Sequence, residues 1–346
     1  VSKEIIMSKA KDGLLYMEDG STPAGYTLME DSGDHQTFGV ADVEVFSGDP
    51  EAEVRPNGVV TGRNLVSPAV SGSNNLVDVA AFTAWLVGVD EAVAADADVA
   101  ITRPATNVAK VCSVTLDAAG DIVVVAGTDS ADANFSGTRG AAGGPPLIPV
   151  GSIELAQVRL TTSAAAAIAA GEIFQGGEYT ERAISPTPEV DPTGRGDWAD
   201  DAATVRAHVR FASALPAIHT GNTTKRVYVN YAAPIFGEVS RSADFTPAEE
   251  SYSTSTSEHY GGADNTESTS LGQAGFTAKL ATGVDDAVIG AKGTIRTFKF
   301  LPDKNKAAKI LVTQGRVATA RTFAVAGQKQ AKVTISATKA TVEYFA

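Results

Sequence analysis

Any site in this chain has to be built from four histidines, one cysteine and forty-one carboxylates. His35, His208, His219 and His259 do not fall into His-x-His, His-x-x-x-His or His-Glu-x-x-His spacing, so no local metal site can be read from them. His208 sits on the polar side of the alternating stretch Thr204–Phe211 and reads as a surface histidine. Cys112 lies in the apolar run Val111–Val114, which predicts a buried core thiol, and it has no second cysteine for a disulfide or a zinc site. The run Gly137–Gly144 is glycine-rich but lacks the Lys-Ser/Thr ending of a phosphate loop, and no helix signal follows it. It reads as a flexible loop. Asp129, Asp132 and Asn134 lack the spacing and terminal Glu of a calcium loop and read as part of a solvated acidic loop. There is no Gly-x-Ser-x-Gly elbow. The neighbours Glu249-Glu250 and Asp285-Asp286 would point to opposite faces of a strand, a poor acid/base dyad. Arg195-Gly196-Asp197 is a three-residue match of little weight. No catalytic, cofactor-binding or metal-ligating residue is assigned, and an enzyme is not expected. A site assembled from distant residues stays open as the alternative.

Composition points to a structural role. Apolar residues make up 43% of the chain, enough for packed cores, and its 346 residues suffice for two or three domains. The 33 glycines, with abundant Ala, Thr, Ser and Val, favour short strands and many turns. The longest low-polarity run, Ala164–Ala170, is too short to span a bilayer, and Val1–Glu4 lacks a signal-peptide layout; the expectation is a soluble product made in the cytoplasm. The net charge of −13 argues against a conventional nucleic-acid binder. That charge is polarised: residues 1–200 carry 29 acidic and 11 basic side chains, residues 201–346 carry 12 and 17. Opposite signs at the two ends of a subunit would attract head to tail.

Alternation then places the strands. Val43–Phe46 and Leu76–Val79 alternate, as do Thr204–Phe211 and, most cleanly, Lys332–Thr338. Ala84–Val87, Val108–Leu116, Arg226–Tyr231 and Thr294–Leu301 read as further strands. Asp117–Gly120 reads as a hairpin turn. The continuous run Ile122–Ala126 fits a strand buried on both faces. Ser163 reads as the cap of a short Ala-rich helix ending at Gly171, and Pro302–Lys309 as a second short helix or turn. Ser251–Ser257 is polar and β-prone without apolar anchoring, so it should order only against neighbours. The organisation expected is all-β: residues 1–60 as the first part of a sandwich, 61–175 as an inserted or decorating β module, 176–203 as a linker, and 204–346 as the second part of the sandwich.

In pattern, residues 204–346, with residues 1–60, resemble the major tail tube proteins of long-tailed bacteriophages. The resemblance is carried by Phe298-Lys299-Phe300-Leu301-Pro302-Asp303-Lys304, by Gly315–Ala320, and by a closing strand Thr341–Phe345. Phe245–Glu250 with its Ser/Thr-rich run is similar to the loop such proteins extend toward neighbours, and Leu147–Ala156 resembles small β modules of tail and baseplate proteins. The resemblance implies a tail-tube-type β-sandwich with one short helix, polymerising as stacked rings into a conduit for DNA. It implies the chain itself, a tape measure protein and tail terminator or tip proteins as partners, DNA passing without specific binding, no membrane and no cofactor, with the product located in the virion tail. Candidate contacts between subunits or rings are Arg206, Arg210, Phe245, Glu249, Glu250, Arg296, Lys299, Lys304, Lys306 and Arg316. Arg206, His208 and Arg210 suit a subunit contact better than a lumen, because a basic wall would hold phosphates. Another virion component (capsid decoration or baseplate) and a bacterial surface β module are the alternative readings.

Overall fold

The computed structural model describes residues 12–41, 43–175, 188–193, 207–260, 262–305 and 310–344. The chain is all-β. A first group of strands is β1 (Leu14–Leu28), β2 (Glu30–Asp31), β3 (Thr37–Gly39) and β4 (Glu53–Pro56). Ten more occupy the middle: β5 (Gly58–Thr61), β6 (Val66–Pro68), β7 (Leu76–Val79), β8 (Phe82–Leu86), β9 (Val89–Val93), β10 (Asp96–Ala100), β11 (Lys110–Leu116), β12 (Ile122–Ala126), β13 (Ile153–Leu160) and β14 (Ile173–Phe174). Then follow β15 (Glu189–Asp191), β16 (His208–Arg210), β17 (Val227–Glu238), β18 (Ser242–Thr246), β19 (Glu250–His259), β20 (Gly262–Leu271) and β21 (Ala274–Lys279). After the four-residue helix α1 (Ala287–Gly290) come β22 (Ile295–Leu301), β23 (Ile310–Thr322), β24 (Gln330–Ala337) and β25 (Val342–Tyr344).

The largest sheet runs β18-β21-β24-β23-β22-β1-β17-β4, with β25 added beside β23. Alternation builds it: Ala331, Val333 and Ile335 of β24 are buried while Lys332 and Ser336 face out. The sheet is curled. Phe245 on β18 stacks on Phe300 of β22 with ring centroids 4.6 Å apart, although four strand spacings of about 4.8 Å would hold them some 19 Å apart in a flat sheet. The curl encloses a core of Leu15, Met17, Phe276, Phe298, Val317, Val333 and Ile335, plugged by Val288 and Ala291 around α1. At the other end, β17 and β4 pack against the sheet β15-β16-β3-β2 around Phe38, Phe46, Val209, Phe211, Val227 and Val229.

The strands from β5 to β14 form three small sheets about a separate core that includes Val59, Val77, Phe82, Cys112, Val114, Leu155 and Val158. Polar ties join this unit to the rest. Asn57 donates to the Gly151 carbonyl (3.0 Å) and accepts from Val87 N–H (2.9 Å), and the buried His219 ring lies between the carbonyls of Ser152 and Thr223. Arg55 lies over both the Tyr26 and Trp85 rings while bonding Glu53.

Several expectations change. The segment after Ser163 is no helix: Ser163 hydrogen-bonds Asn107 Oδ1 through its N–H and hydroxyl instead of capping, Ala164–Ala167 are exposed, and only a 3-10 turn, Ala170–Glu172, forms. Alanine propensity alone, with Ile168 as the sole buried anchor, does not hold a helix this short. Among the described residues one short α-helix stands at Ala287–Gly290, while Pro302–Asn305 is irregular and 306–309 lies outside the described residues. The apolar strand β12 is not buried on both faces; it is the edge of its sheet, and Val123 is 39% exposed. His208 is only 9% exposed, because β16 is flanked by β15 and β3 rather than open to solvent. Glu189–Asp191, expected within a linker, is a strand, and Lys339 reaches both of its carboxylates.

The glycine-rich loop is pinned, not flexible. Gly140 N–H donates to Pro145 O and Gly143 N–H to Thr128 O. A Cβ on Gly144 would stand 2.2 Å from Thr138 O, so only glycine fits there. Arg139 leads from this loop to the buried Glu154 carboxylate at 2.6 Å, and so covers the second face of β11 and β13.

Candidate functional site

Titratable groups meet in the turn after β2. Asp31, His35 and Thr224 come together, but the Asp31 carboxylate and the Thr224 hydroxyl both approach the same ring nitrogen of His35, Nδ1. A relay needs them on opposite nitrogens. Asp31 also accepts N–H bonds from Gly33 and His35, which makes the cluster a turn support. Burial works to raise the Asp31 pKa, and the hydrogen bonds from Thr224, His35 and Gly33 outweigh it, leaving the carboxyl below its usual range. Cys112 is buried and its thiol is pushed up by desolvation, the state of an inert core thiol. Among the described residues no cluster of three or more His, Cys, Asp or Glu could hold a metal ion. A cavity of about 330 Å³ opens between β1, the turn after β17 and α1, lined by Met17, Asp19, Val239, Arg241, Leu280 and Asp286. The Asp286 carboxylate within it is already taken up by the N–H groups of Ala281 and Gly283.

The feature with no internal role is the β19–β20 ribbon. Its ten pairs run without a bulge from Glu250↔Leu271 to His259↔Gly262. Every described residue from Glu250 to Ser270 is exposed, and Tyr252 is 75% so. The ribbon is held by its ladder and by hydroxyl pairs, Ser251–Ser270 at 2.8 Å and Ser253–Ser268 at 2.7 Å. Such pairs contribute about 0.2–1 kcal/mol each, against a backbone ordering cost of about 1–2 kcal/mol per residue. A two-stranded ribbon without an apolar face is marginal in water. Its root is fixed by Gly272 N–H on Glu249 O, and by Ala248 N–H on the Thr341 hydroxyl.

The candidate contacts scatter around this ribbon. Glu249 and Glu250 sit at its root, exposed, with Glu250 accepting from the Tyr252 hydroxyl at 2.6 Å. Phe245 turns inward onto Phe300. Lys299 is engaged within the chain, 3.3 Å from Glu44 and over the Phe236 ring. Arg296 is half-buried on the Thr294 hydroxyl. Arg316 and Lys304 are exposed, Arg316 bonding the Gly293 carbonyl and Lys304 N–H the Asp12 carbonyl. Arg210 is exposed opposite Glu189. Arg206 and Lys306 lie outside the described residues. The residues Ser251–Ser270 were missing from the candidates, although an alternating Ser/Thr run without apolar anchors is their signal. No helix among the described residues is long and apolar enough to cross a membrane. Compared with known families and curated proteins, the sequence matches no family model and no curated protein.

Proposed function

We propose that this chain is a structural subunit that polymerises with copies of itself, and that the polymer is the tube of a long-tailed phage tail: stacked rings forming a conduit for DNA. The observation that carries the reading is the ribbon, ten strand pairs in which every described residue beyond the root Leu271 is exposed. A chain that orders such a ribbon gains nothing from it until a neighbour covers it. The large sheet supports the same reading, since it ends in β18, where Ala243, Asp244 and Thr246 are exposed, and in β4. Unpaired strand edges are templates for another chain, and heterologous contacts of this kind propagate into rings and filaments. The acidic first 200 residues and basic remainder add attraction between successive copies.

Negative-stain microscopy of the concentrated protein tests this. Rings or tubes are expected, lost when residues 251–270 are replaced by a short turn. A species that stays monomeric at every concentration, in a preparation whose fold is intact, overturns it.

A further inference from the structure

The outer face of the curled sheet has a chemistry opposite to that of the ribbon. On β21, β24 and β23 the apolar side chains Phe276, Val333 and Val317 enter the core, so the alternate positions form an outward face. Its floor is made of small side chains, with Ala318 and Ala320 exposed beside Thr334. Lys279, Lys332 and Arg316 rise from it, all exposed. These three strands contain no Asp or Glu. The ribbon is the reverse: residues 250–271 hold four carboxylates and no Lys or Arg. Strand parity puts Glu250, Glu267 and Tyr252 on one side of it.

Resting on the assembly reading above, we propose that the β19–β20 ribbon of one copy docks, by its Tyr252 side, on the β21-β24-β23 outer face of a second copy. The ribbon does not serve its own face. Only Gly272 and Gln273 separate β20 from β21, a connection too short to fold the ribbon back across the sheet it leaves, and both surfaces are exposed within the single chain. The contact joins two different patches and is therefore heterologous, able to continue from copy to copy. Tyr252 covers the alanine floor while the carboxylates meet the cations.

The test is self-association of the full chain, by sedimentation and light scattering, across a salt series. Raising salt weakens wild-type association. A face variant (Lys279→Glu, Arg316→Glu, Lys332→Glu) and a ribbon variant (Glu250→Lys, Glu267→Lys) are each expected to lower it on the order of 100-fold, as exposed attractions on the docking side become repulsions. The combined charge swap is expected to recover association to within about tenfold of wild type. Circular dichroism confirms folding, and Lys279→Glu with Lys332→Glu replaces the face variant if Arg316→Glu disturbs the Gly293 carbonyl contact. Wild-type assembly by both one-sided variants overturns this contact and leaves the assembly reading standing. A swap no better than either one-sided variant also overturns the contact. Loss of DNA-oligonucleotide binding by a face variant that still assembles makes the face a polyanion site instead. A wild type that never associates overturns both readings.

Discussion

Glu18 is 1% exposed, so its removal offers a sharp test of how the large sheet is joined. β1 pairs with β22 only as far as Met17↔Phe298 and then diverges, leaving the N–H of the next β22 residue, Thr297, without a β1 partner. The Glu18 carboxylate fills that place. It accepts Thr297 N–H at 2.9 Å and the Ser47 hydroxyl, with Gly48 N–H at a longer 3.4 Å. Thr297 is fully buried and Ser47 nearly so. Glu18→Ala strands two buried donors, at about 1–3 kcal/mol each. The long Gly48 contact adds little, so a loss of about 3–5 kcal/mol is expected. Glu18→Gln keeps the shape and one acceptor oxygen but turns an NH₂ group toward a donor, for a loss of about 1–2 kcal/mol. Urea unfolding should rank wild type above Glu18→Gln above Glu18→Ala, with unchanged slopes. Hydrogen exchange at the Thr297 amide should accelerate most in the alanine variant. If Glu18→Ala lies within about 1 kcal/mol of wild type, other acceptors serve those donors and the strand-substitute role is wrong.

Other outcomes follow from local geometry. Val87 turns the two-residue β8–β9 hairpin at φ +53°, a left-handed conformation costly for a β-branched residue; Val87→Asn should stabilise by about 1 kcal/mol, and an unchanged or lower melting temperature would count against strain there. The depressed Asp31 pKa contributes stability that is complete above the ordinary aspartate range and is lost as pH falls through the folded value. Urea midpoints of Asp31→Asn should therefore fall less steeply than wild type below about pH 4, and parallel acid limbs would refute this. Arg139→Met leaves the Glu154 carboxylate, 3% exposed, without its cation, for an expected loss of about 3–5 kcal/mol; adding Glu154→Gln should return most of it, and a double variant no better than the single would place the loss in the loop packing.

What could be read from the sequence was whatever a two-residue period records. β24 alternates because one face is core and the other solvent, and Lys332–Thr338 states this in its residue types. The Asp117–Gly120 turn was legible for an equally local reason: Asp117 Oδ1 takes the N–H groups of Ala119 and Asp121, and Gly120 supplies φ +90°. The failures concern partners distant in the chain. Val123 and Val125 carry the residue types of a buried strand, yet β12 has a neighbour on one side only. His208 alternates as a polar residue, yet β15 and β3 flank it, contributed by Glu189–Asp191 and Thr37–Gly39. Asn107, more than fifty residues upstream, takes the hydroxyl that would have capped a helix at Ser163. The ribbon was half legible: its polarity was plain, but its ten-pair register could not be read from types that are alike on both strands.

That register bears on what the ribbon is for. Protein edges exposed to solvent are commonly blunted by lysine, proline or a bulge, and β1 against β17 shows such irregularities at Glu18/Gly20 and Pro23/Gly25. The ribbon has no lysine, no proline and no bulge across its paired length. Its bulge-free strands would be a hazard if any strand could add to them, and its carboxylates restrain this, because two such ribbons laid edge to edge bring like charges together without a Lys or Arg between them. The same acids that forbid ribbon-to-ribbon pairing favour a surface free of acids. In the proposed contact charge selects the partner, while the hydroxyl-lined, bulge-free ladder lets it lie close. A ribbon of lower charge would stick more readily and choose less well, so removing three of its four carboxylates without reversing them (Glu250→Gln, Asp264→Asn, Glu267→Gln) should turn ordered association into amorphous, salt-insensitive aggregation, visible by negative stain beside the wild type. Ordered particles from that variant would show that charge does not direct the contact.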